Sequence, residues 1–248
     1  MAFFEHLGEL RRRLTVVAAV LFGLTIIFYV FGSSQFVTFI LNPILPFVPG
    51  HKWYILDPLE GMTLRFTSAF VLAIIVGSPV ITYHSFGFFL PALKPNERKY
   101  VVPTSIAAAV LFIMGMAFCF TLLYRPGFQW LMTQGVPNAM LTPRALEFFN
   151  LAVLLHLAFG VGFLLPIVVF YLLFFQIVPY KTLRQQWRYV YLGISVISAV
   201  VTPDWSPWTM GGLAVALMIL YEITMLLGRF VLAKKIAAQN AGATDFAD

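Results

Sequence analysis

Charged residues are scarce in this sequence: they make up 10% of its 248 residues, whereas hydrophobic residues make up 60%. A soluble domain carries about 25% charged residues, because polar side chains must cover its surface. The composition therefore excludes a soluble enzyme and a disordered chain. Cysteine is almost absent as well, since Cys119 is the single one. That excludes a disulfide scaffold and gives no support to a zinc site or a thiol catalyst. What remains is a polytopic membrane protein.

Long apolar runs are abundant instead. A helix needs about 20 apolar residues to cross about 30 Å of hydrocarbon, and these runs lack the polar–apolar alternation of barrel strands. The sequence therefore predicts an all-α protein with six transmembrane helices, at about residues 14–32, 62–90, 100–124, 148–178, 189–201 and 209–228. The first run is too long for the apolar part of a signal peptide, and no cleavage site follows it, so we expect it to be retained.

The last two predicted spans are short. The thirteen residues 189–201 extend only about 20 Å as a helix. One expectation is that the bilayer thins locally beside these two helices. The alternative is that Trp187 or Trp205 lengthens the apolar stretch.

Basic residues predict the orientation of the spans. Twelve of them fall in the two termini and in the loops after spans two and four, whereas the loops on the other side hold only Lys52, Arg125 and Arg144. Because basic loops stay in the cytoplasm, we expect both termini to be cytoplasmic. Residues 1–235 should form one six-span membrane domain, and residues 236–248 a flexible cytoplasmic tail.

The outer loops are long enough to have structure of their own. Residues 33–61 contain an apolar stretch broken by Pro43 and Pro46, which predicts a short helix at the outer membrane interface. Residues 125–147 are similar, with Trp130 as an interfacial anchor. Plain connecting segments are the alternative for both.

Two carboxylates lie in the predicted cytoplasmic segments. Glu9 belongs to an amphipathic helix that leads into the first span, and Glu97 lies among three basic residues in the second cytoplasmic loop. One interpretation is ordinary: Glu9 pairs with Arg13 four residues on, and Glu97 lies near a helix N-terminus, where negative charge is favoured. The other is that both carboxylates bind a cation at the inner membrane surface.

Several short motifs follow one another in a specific order along the chain. They are EHLGELRRRL at 5–14, SPVITY at 78–83, FFLPAL at 88–93, ER at 97–98, AFGVGFLLP at 158–166, TPD at 202–204 and YEI at 221–223. In this order they resemble the TatC family, the polytopic subunit of the twin-arginine (Sec-independent) protein translocase. The resemblance covers nearly the whole chain.

The resemblance implies a function for the carboxylates. The family recognises signal peptides with consecutive arginines and helps to move folded proteins across the membrane. Carried over by motif position, Glu9 and Glu97 would bind the two guanidinium groups, Arg11 and Phe88 would help to shape the site, and His84 would keep a polar contact where the family often has glutamine. It also implies the cell inner membrane, the proton-motive force, TatA- and TatB-type single-span partner subunits and self-association in a larger complex.

The sequence departs from the family pattern in the fourth span. The family usually has a glutamate in a Phe-Glu-x-Pro setting, where this chain has Leu164. An acid inside the membrane normally marks function. His156, two helical turns earlier, either compensates for the missing glutamate or is an ordinary buried histidine. Trp208 stands where the family often has glutamine.

Three further residues are candidates for contacts with partners. Glu222 in the sixth span either contacts a partner helix or the signal peptide, or reaches the interface as an ordinary acid. Asp204 lies in a predicted outer loop, in the TPD motif that the resemblance covers. Pro43 lies in another predicted outer loop, beside the short helix expected at the outer interface.

Two other classes of function remain as alternatives. A secondary transporter of a small solute or ion would need polar residues near the membrane midplane and often has repeated halves, and neither is evident here. An intramembrane enzyme would need a catalytic motif, which His156 and Glu222 do not form. We therefore expect no catalytic residue, no metal site, no cofactor and no nucleic-acid partner.

Overall fold

The computed structural model describes residues 2–89, 101–135, 142–175, 177–204 and 206–231, with side chains for 8–87, 102–135, 142–175, 177–204 and 206–230. Helices make up nearly all of these residues. They are α1 (Ala2–Phe31), α2 (Ser33–Leu41), α3 (Pro58–Phe89), α4 (Val101–Phe118), α5 (Tyr124–Thr133), α6 (Ala145–Gly162), α7 (Leu165–Phe174), α8 (Tyr180–Gln185), α9 (Trp187–Val201) and α10 (Pro207–Val231). We call the end of the bundle where α1 begins the inner end, and the opposite end the outer end.

The membrane-spanning helices confirm an all-α polytopic protein. Five segments of the described chain are long and apolar enough to cross a membrane: Gly8–Phe31, Pro58–Gly87, Val102–Thr133, Ala145–Phe174 and Pro207–Phe230. The sixth apolar helix, α9, has 15 residues and extends about 22 Å, so it is short as expected. The last helix is not short: α10 has 25 residues, because it starts two residues before the predicted span and continues past its end.

The third span also continues beyond its predicted end. The helix does not stop at Tyr124 but runs to Thr133 through a single turn with π-helical hydrogen bonds, Cys119–Leu123. Hydropathy alone places residues 125–133 in an outer loop because they are more polar. Such a turn inserts one residue into a helix without ending it. The outer connection is therefore shorter than expected.

The first outer segment contains the expected short helix. α2 follows α1 after Gly32, and the turns Asn42–Phe47 and Pro49–His51 complete the segment. The Tyr124 hydroxyl donates to the Ile40 carbonyl at 2.6 Å. Tyr54 pairs with Arg144 in an isolated β-bridge, and Arg144 also binds Glu60. These contacts hold the first outer segment against the starts of α3 and α6.

Proline positions agree with helix physics. Pro79 lies inside α3 and has no N–H to donate to the Ile75 carbonyl. The Ser78 hydroxyl donates to that carbonyl instead, at 2.7 Å, so α3 continues. Pro166 lies in the first turn of α7, after a break at Phe163 and Leu164. A proline is favoured in that first turn, so the fourth span consists of two helices.

Close contacts between helices form the core. Gly115 of α4 and Gly160 of α6 face the opposite helix with almost no space: an added Cβ at Gly115 would lie 2.5 Å from the Phe159 carbonyl oxygen. Small residues let membrane helices approach in this way. α1 packs mainly on α3, and α10 packs on α7 and α9.

Candidate functional site

The inner end of the α1–α3 pair positions the first candidate residues. The two helices run in opposite directions, with Gly77 against Leu21 and Leu24 near the middle and Gly87 against Arg13 at the inner end. Glu9 lies one turn before Arg13. Glu9 therefore lies at the inner end of the pair, where α3 ends. In the sequence, α3 is followed by residues 90–100, which include Glu97.

Glu9 is not a free carboxylate. Arg13 donates to its Oε1 atom from Nε at 3.0 Å and from Nη2 at 2.6 Å. Both hydrogen bonds go to the same oxygen, and among the side chains that the structure describes none donates to Oε2. The Glu9 side chain keeps 35% of its surface exposed. It can therefore accept a further donor from outside.

The guanidinium of Arg13 is held between two helices. Its Nη1 atom lies so close to Gly87 that a Cβ there would overlap it. The Arg13 side chain thus reaches across to α3 at a position where glycine leaves room for it. Arg11, on the same helix, is exposed. The inner end of α1 thus carries the Glu9–Arg13 ion pair and, on the same helix, the exposed Arg11.

His84 lies one turn before the end of α3. Its ring contacts Tyr83 edge to face at 5.4 Å between ring centres, and its buried Nδ1 atom has no partner among the described groups. The helix carries Phe88 in its last turn, but the Phe88 side chain lies outside the described side chains, and Glu97 lies outside the described residues. The convergence of Glu9 and Glu97 therefore stays a prediction.

Glu222 forms hydrogen bonds with two other side chains of the protein. It accepts a hydrogen bond from Arg184 Nη1 at 2.7 Å and another from the Tyr191 hydroxyl at 2.7 Å. Both partners lie at the inner end, on α8 and α9. The hydrogen bond to Glu222 raises the pKa of Arg184 above its ordinary value. The neighbouring Tyr221 donates to the Leu183 carbonyl at 3.1 Å. α10 thus holds α8 and the start of α9.

Asp204 is buried in the outer turn between α9 and α10. The Thr209 hydroxyl lies 2.6 and 2.7 Å from its two oxygens, and Gly127 of α5 lies close to the same pair. Burial raises the pKa of Asp204 above its ordinary value, against the opposing effect of the Thr209 hydrogen bond. Pro43 lies in the first outer segment, where its carbonyl accepts a hydrogen bond from Arg125 Nε at 3.3 Å.

His156 lines an apolar cavity of about 260 Å³ between α2, α3, α4 and α6. Its Nδ1 lies 2.6 Å from the Ala152 carbonyl. Since a carbonyl oxygen only accepts, Nδ1 carries the proton, and Nε2 is an acceptor without a partner in the described part of the chain. Leu164, at the break in the fourth span, is partly buried. His156 is therefore a buried histidine eight residues away, and whether it compensates for the family's glutamate stays open as a prediction.

The described residues contain no group of three or more His, Cys, Asp or Glu side chains that could hold a metal ion. The described polar groups at the inner end of the α1–α3 pair are the Glu9 carboxylate, the guanidinium groups of Arg11 and Arg13 and the His84 ring. Their chemistry is that of binding a charged ligand.

Comparison with known proteins decides the family. A family model described as "Sec-independent protein translocase protein (TatC)" matches residues 5–216. The chain belongs to the TatC family. It is a component of a protein translocase and a multi-pass membrane protein, and the comparisons give no support to a small-solute transporter.

Individual members of the TatC family are similar along their whole length. The Sec-independent protein translocase protein TatC of Aquifex aeolicus (strain VF5) is 31% identical over 97% of this chain and 100% of its own. That of Escherichia coli (strain K12) is 26% identical over 92% of this chain and 88% of its own. A crystal structure of the twin arginine translocase receptor TatC in DDM superimposes with a TM-score of 0.73 and 27% identity, covering 90% of this chain and 99% of the solved one.

Sequence reasoning missed some residues of the site. The spacing of Glu9 and Arg13 indicated their ion pair, but nothing in the sequence indicated that Arg13 also packs on Gly87. Arg184 and Tyr191 were not linked to Glu222, since they lie 38 and 31 residues away along the chain. A basic residue just after the fourth span and an acid in the inner third of the sixth span are the only signal that could have paired them.

Proposed function

We propose that this chain is the signal-peptide receptor subunit of a twin-arginine translocation system. It binds peptides with two consecutive arginines at its inner, cytoplasmic face. The observation that carries the proposal is the Glu9 carboxylate, held at the inner end of the α1–α3 pair with one oxygen open. The similarity to a solved twin arginine translocase receptor supports it.

The recognition chemistry follows from the guanidinium group. Arginine is permanently charged and presents a planar fork of donors that matches a carboxylate, whereas lysine presents a single ammonium. Two adjacent arginines on an extended signal would engage Glu9 and Glu97. Arg11, Phe88 and His84 shape the site around them. The apolar part of the signal lies along the membrane-spanning helices.

Export requires an energy source and partners that the chain does not supply. The receptor works with TatA- and TatB-type single-span subunits in the cell inner membrane, associates with further copies of itself, and uses the proton-motive force to export folded proteins. Both termini lie in the cytoplasm. The role is non-enzymatic and uses neither a cofactor nor nucleic acid.

Three residues are proposed to contact partner subunits or support that contact. Glu222 keeps 34% of its side chain exposed after binding Arg184 and Tyr191, so a partner helix or the signal peptide can still reach it. Asp204 is buried and acts by holding the outer turn before α10. Pro43 acts through the shape of the first outer segment.

Binding of matched peptides tests the proposal. The purified chain is titrated with a fluorescent signal peptide containing Arg-Arg and with the same peptide containing Lys-Lys. We expect tight binding of the first only, and at least tenfold weaker binding after Glu9→Ala or Glu97→Ala. Glu147→Ala, which removes an exposed acid at the outer end, is the matched control and should bind like the wild type. Equal binding of both peptides would overturn the carboxylate-fork mechanism, and solute uptake into liposomes by the chain alone would favour a transporter.

A further inference from the structure

Arg65 is a cation inside a membrane-spanning helix. It lies seven residues after Pro58, the first residue of α3, which is about 10 Å along the helix axis. The side chain is exposed. Its Nε donates weakly to the Ser33 hydroxyl at 3.4 Å, and its guanidinium stacks on the Tyr29 ring at 5.3 Å. Neither contact supplies a negative charge.

The acidic side chains near Arg65, at the outer end of the bundle, already have partners within the chain. Arg144 binds both Glu60 and Glu147, and Asp57 accepts a hydrogen bond from the backbone N–H of Leu59 at 2.8 Å. Among the described residues no carboxylate lies within salt-bridge distance of Arg65. A cation at this depth is costly unless it has an anionic or water partner. Arg65 is therefore available to bind a negative group from outside the chain.

An apolar groove of about 600 Å³ includes Tyr29, the ring on which Arg65 stacks. It runs between α1 and α3, from Ala18 at its inner end to Val30 at its outer end, which is about 18 Å along α1. Tyr29, the ring on which Arg65 stacks, lines the outer end of the groove together with Met62 and Phe66. The groove and the guanidinium thus form an elongated apolar slot with a positive charge at one end.

We propose that this slot binds a glycerophospholipid of the outer leaflet, with its phosphate on Arg65 and one acyl chain in the groove. A guanidinium binds phosphate oxygens through paired charge-assisted hydrogen bonds. The pattern of the slot favours a phospholipid, because an almost wholly apolar lining takes an acyl chain while the cation at one end takes the phosphate. The phosphate also supplies the charge that the chain itself lacks at this position.

Native mass spectrometry of the full chain in detergent tests the site. The protein is mixed with phosphatidylglycerol or with a diacylglycerol that has the same two acyl chains but no phosphate. We expect a phosphatidylglycerol adduct on the wild type that falls about tenfold in Arg65→Gln, to the level of diacylglycerol. Arg125→Gln removes another exposed arginine of the outer end, one that contacts the Pro43 carbonyl, and should leave the adduct unchanged.

Two more variants test the contributions of the groove and of the positive charge to lipid binding. Ala18→Phe should reduce retention of both lipids, because it fills the inner end of the groove, while Arg65→Lys should keep a weakened phosphatidylglycerol adduct. An adduct of equal strength in wild type and Arg65→Gln overturns the proposal, and so does equal binding of diacylglycerol and phosphatidylglycerol by the wild type. A wild type that retains neither lipid overturns it as well, and leaves the signal-peptide proposal unaffected.

Discussion

Arg13 donates two hydrogen bonds to one oxygen of Glu9, from Nε at 3.0 Å and from Nη2 at 2.6 Å, while its third nitrogen packs on Gly87. The carboxylate proposed to receive a signal-peptide arginine therefore already holds an arginine of its own. A guanidinium that binds both oxygens of Glu9 must displace Arg13 from Oε1. The chain thus carries an internal competitor for its own ligand.

We expect Arg13→Gln to strengthen peptide binding. An i,i+4 ion pair at a protein surface is worth about 0.3–0.5 kcal/mol, so its removal should raise affinity about twofold. Only a ligand that needs both oxygens of Glu9 competes with Arg13, so the Arg-Arg peptide should gain affinity and the weak binding of the Lys-Lys peptide should stay unchanged. Fluorescence anisotropy with both labelled peptides measures this.

Arg12→Gln is the matched control for that titration. It removes the same charge from an exposed neighbour that does not contact Glu9, so any general electrostatic gain appears in both variants. Weaker binding by Arg13→Gln than by Arg12→Gln would contradict competition and would mean that Arg13 orients Glu9.

The sequence predicted contacts between residues that are close together along the chain, but not contacts between residues that are far apart along it. Apolar runs revealed the spans, because a bilayer selects length and composition, and the four-residue spacing indicated the pair of Glu9 and Arg13. The contact of Arg13 with Gly87 and the contact of Arg184 with Glu222 depend on how distant helices pack. No local pattern contains that information.

Helix ends were also difficult to predict. Hydropathy finds the apolar middle of a helix, whereas α5 and the ends of α10 are more polar and remain helical because their backbone hydrogen bonds continue. The π-helical turn Cys119–Leu123 has no hydropathy signal. The third span and α10 therefore extend beyond their predicted ends.

Gly115→Ala should destabilise the protein. The new methyl group would meet the Phe159 carbonyl oxygen at 2.5 Å, which forces α4 and α6 apart at a cost of about 1–3 kcal/mol. Gly211→Ala is the control, because nothing lies within 4 Å of its added methyl and alanine favours the helix by about 0.5–1 kcal/mol. Thermal unfolding in detergent should give opposite shifts, and equal shifts would contradict the tight α4–α6 contact.

Glu222→Ala should release α8. The substitution removes the acceptor for Arg184 and Tyr191, so the basic residues of α8 should become accessible to trypsin. We expect faster cleavage after Lys181 and Arg184, measured by mass spectrometry of the fragments over time. Glu147→Ala removes an acid paired at the outer end and should leave these cleavage rates unchanged. Unchanged rates in Glu222→Ala would show that other contacts hold α8.

Asp204→Asn should change the pH dependence of stability. Burial raises the pKa of Asp204 above 3.8, so the folded state binds this proton more tightly than the unfolded state. Stability must then fall as pH rises above 3.8 towards the raised pKa, because the buried group becomes charged. Asparagine still accepts from Thr209 and cannot ionise. The difference in melting temperature between wild type and Asp204→Asn, measured from about pH 4 to 8, should therefore shift in favour of the variant as pH rises. Asp57→Asn changes an exposed carboxylate and should keep the wild-type profile, whereas a difference that is constant with pH would mean that Asp204 stays charged throughout.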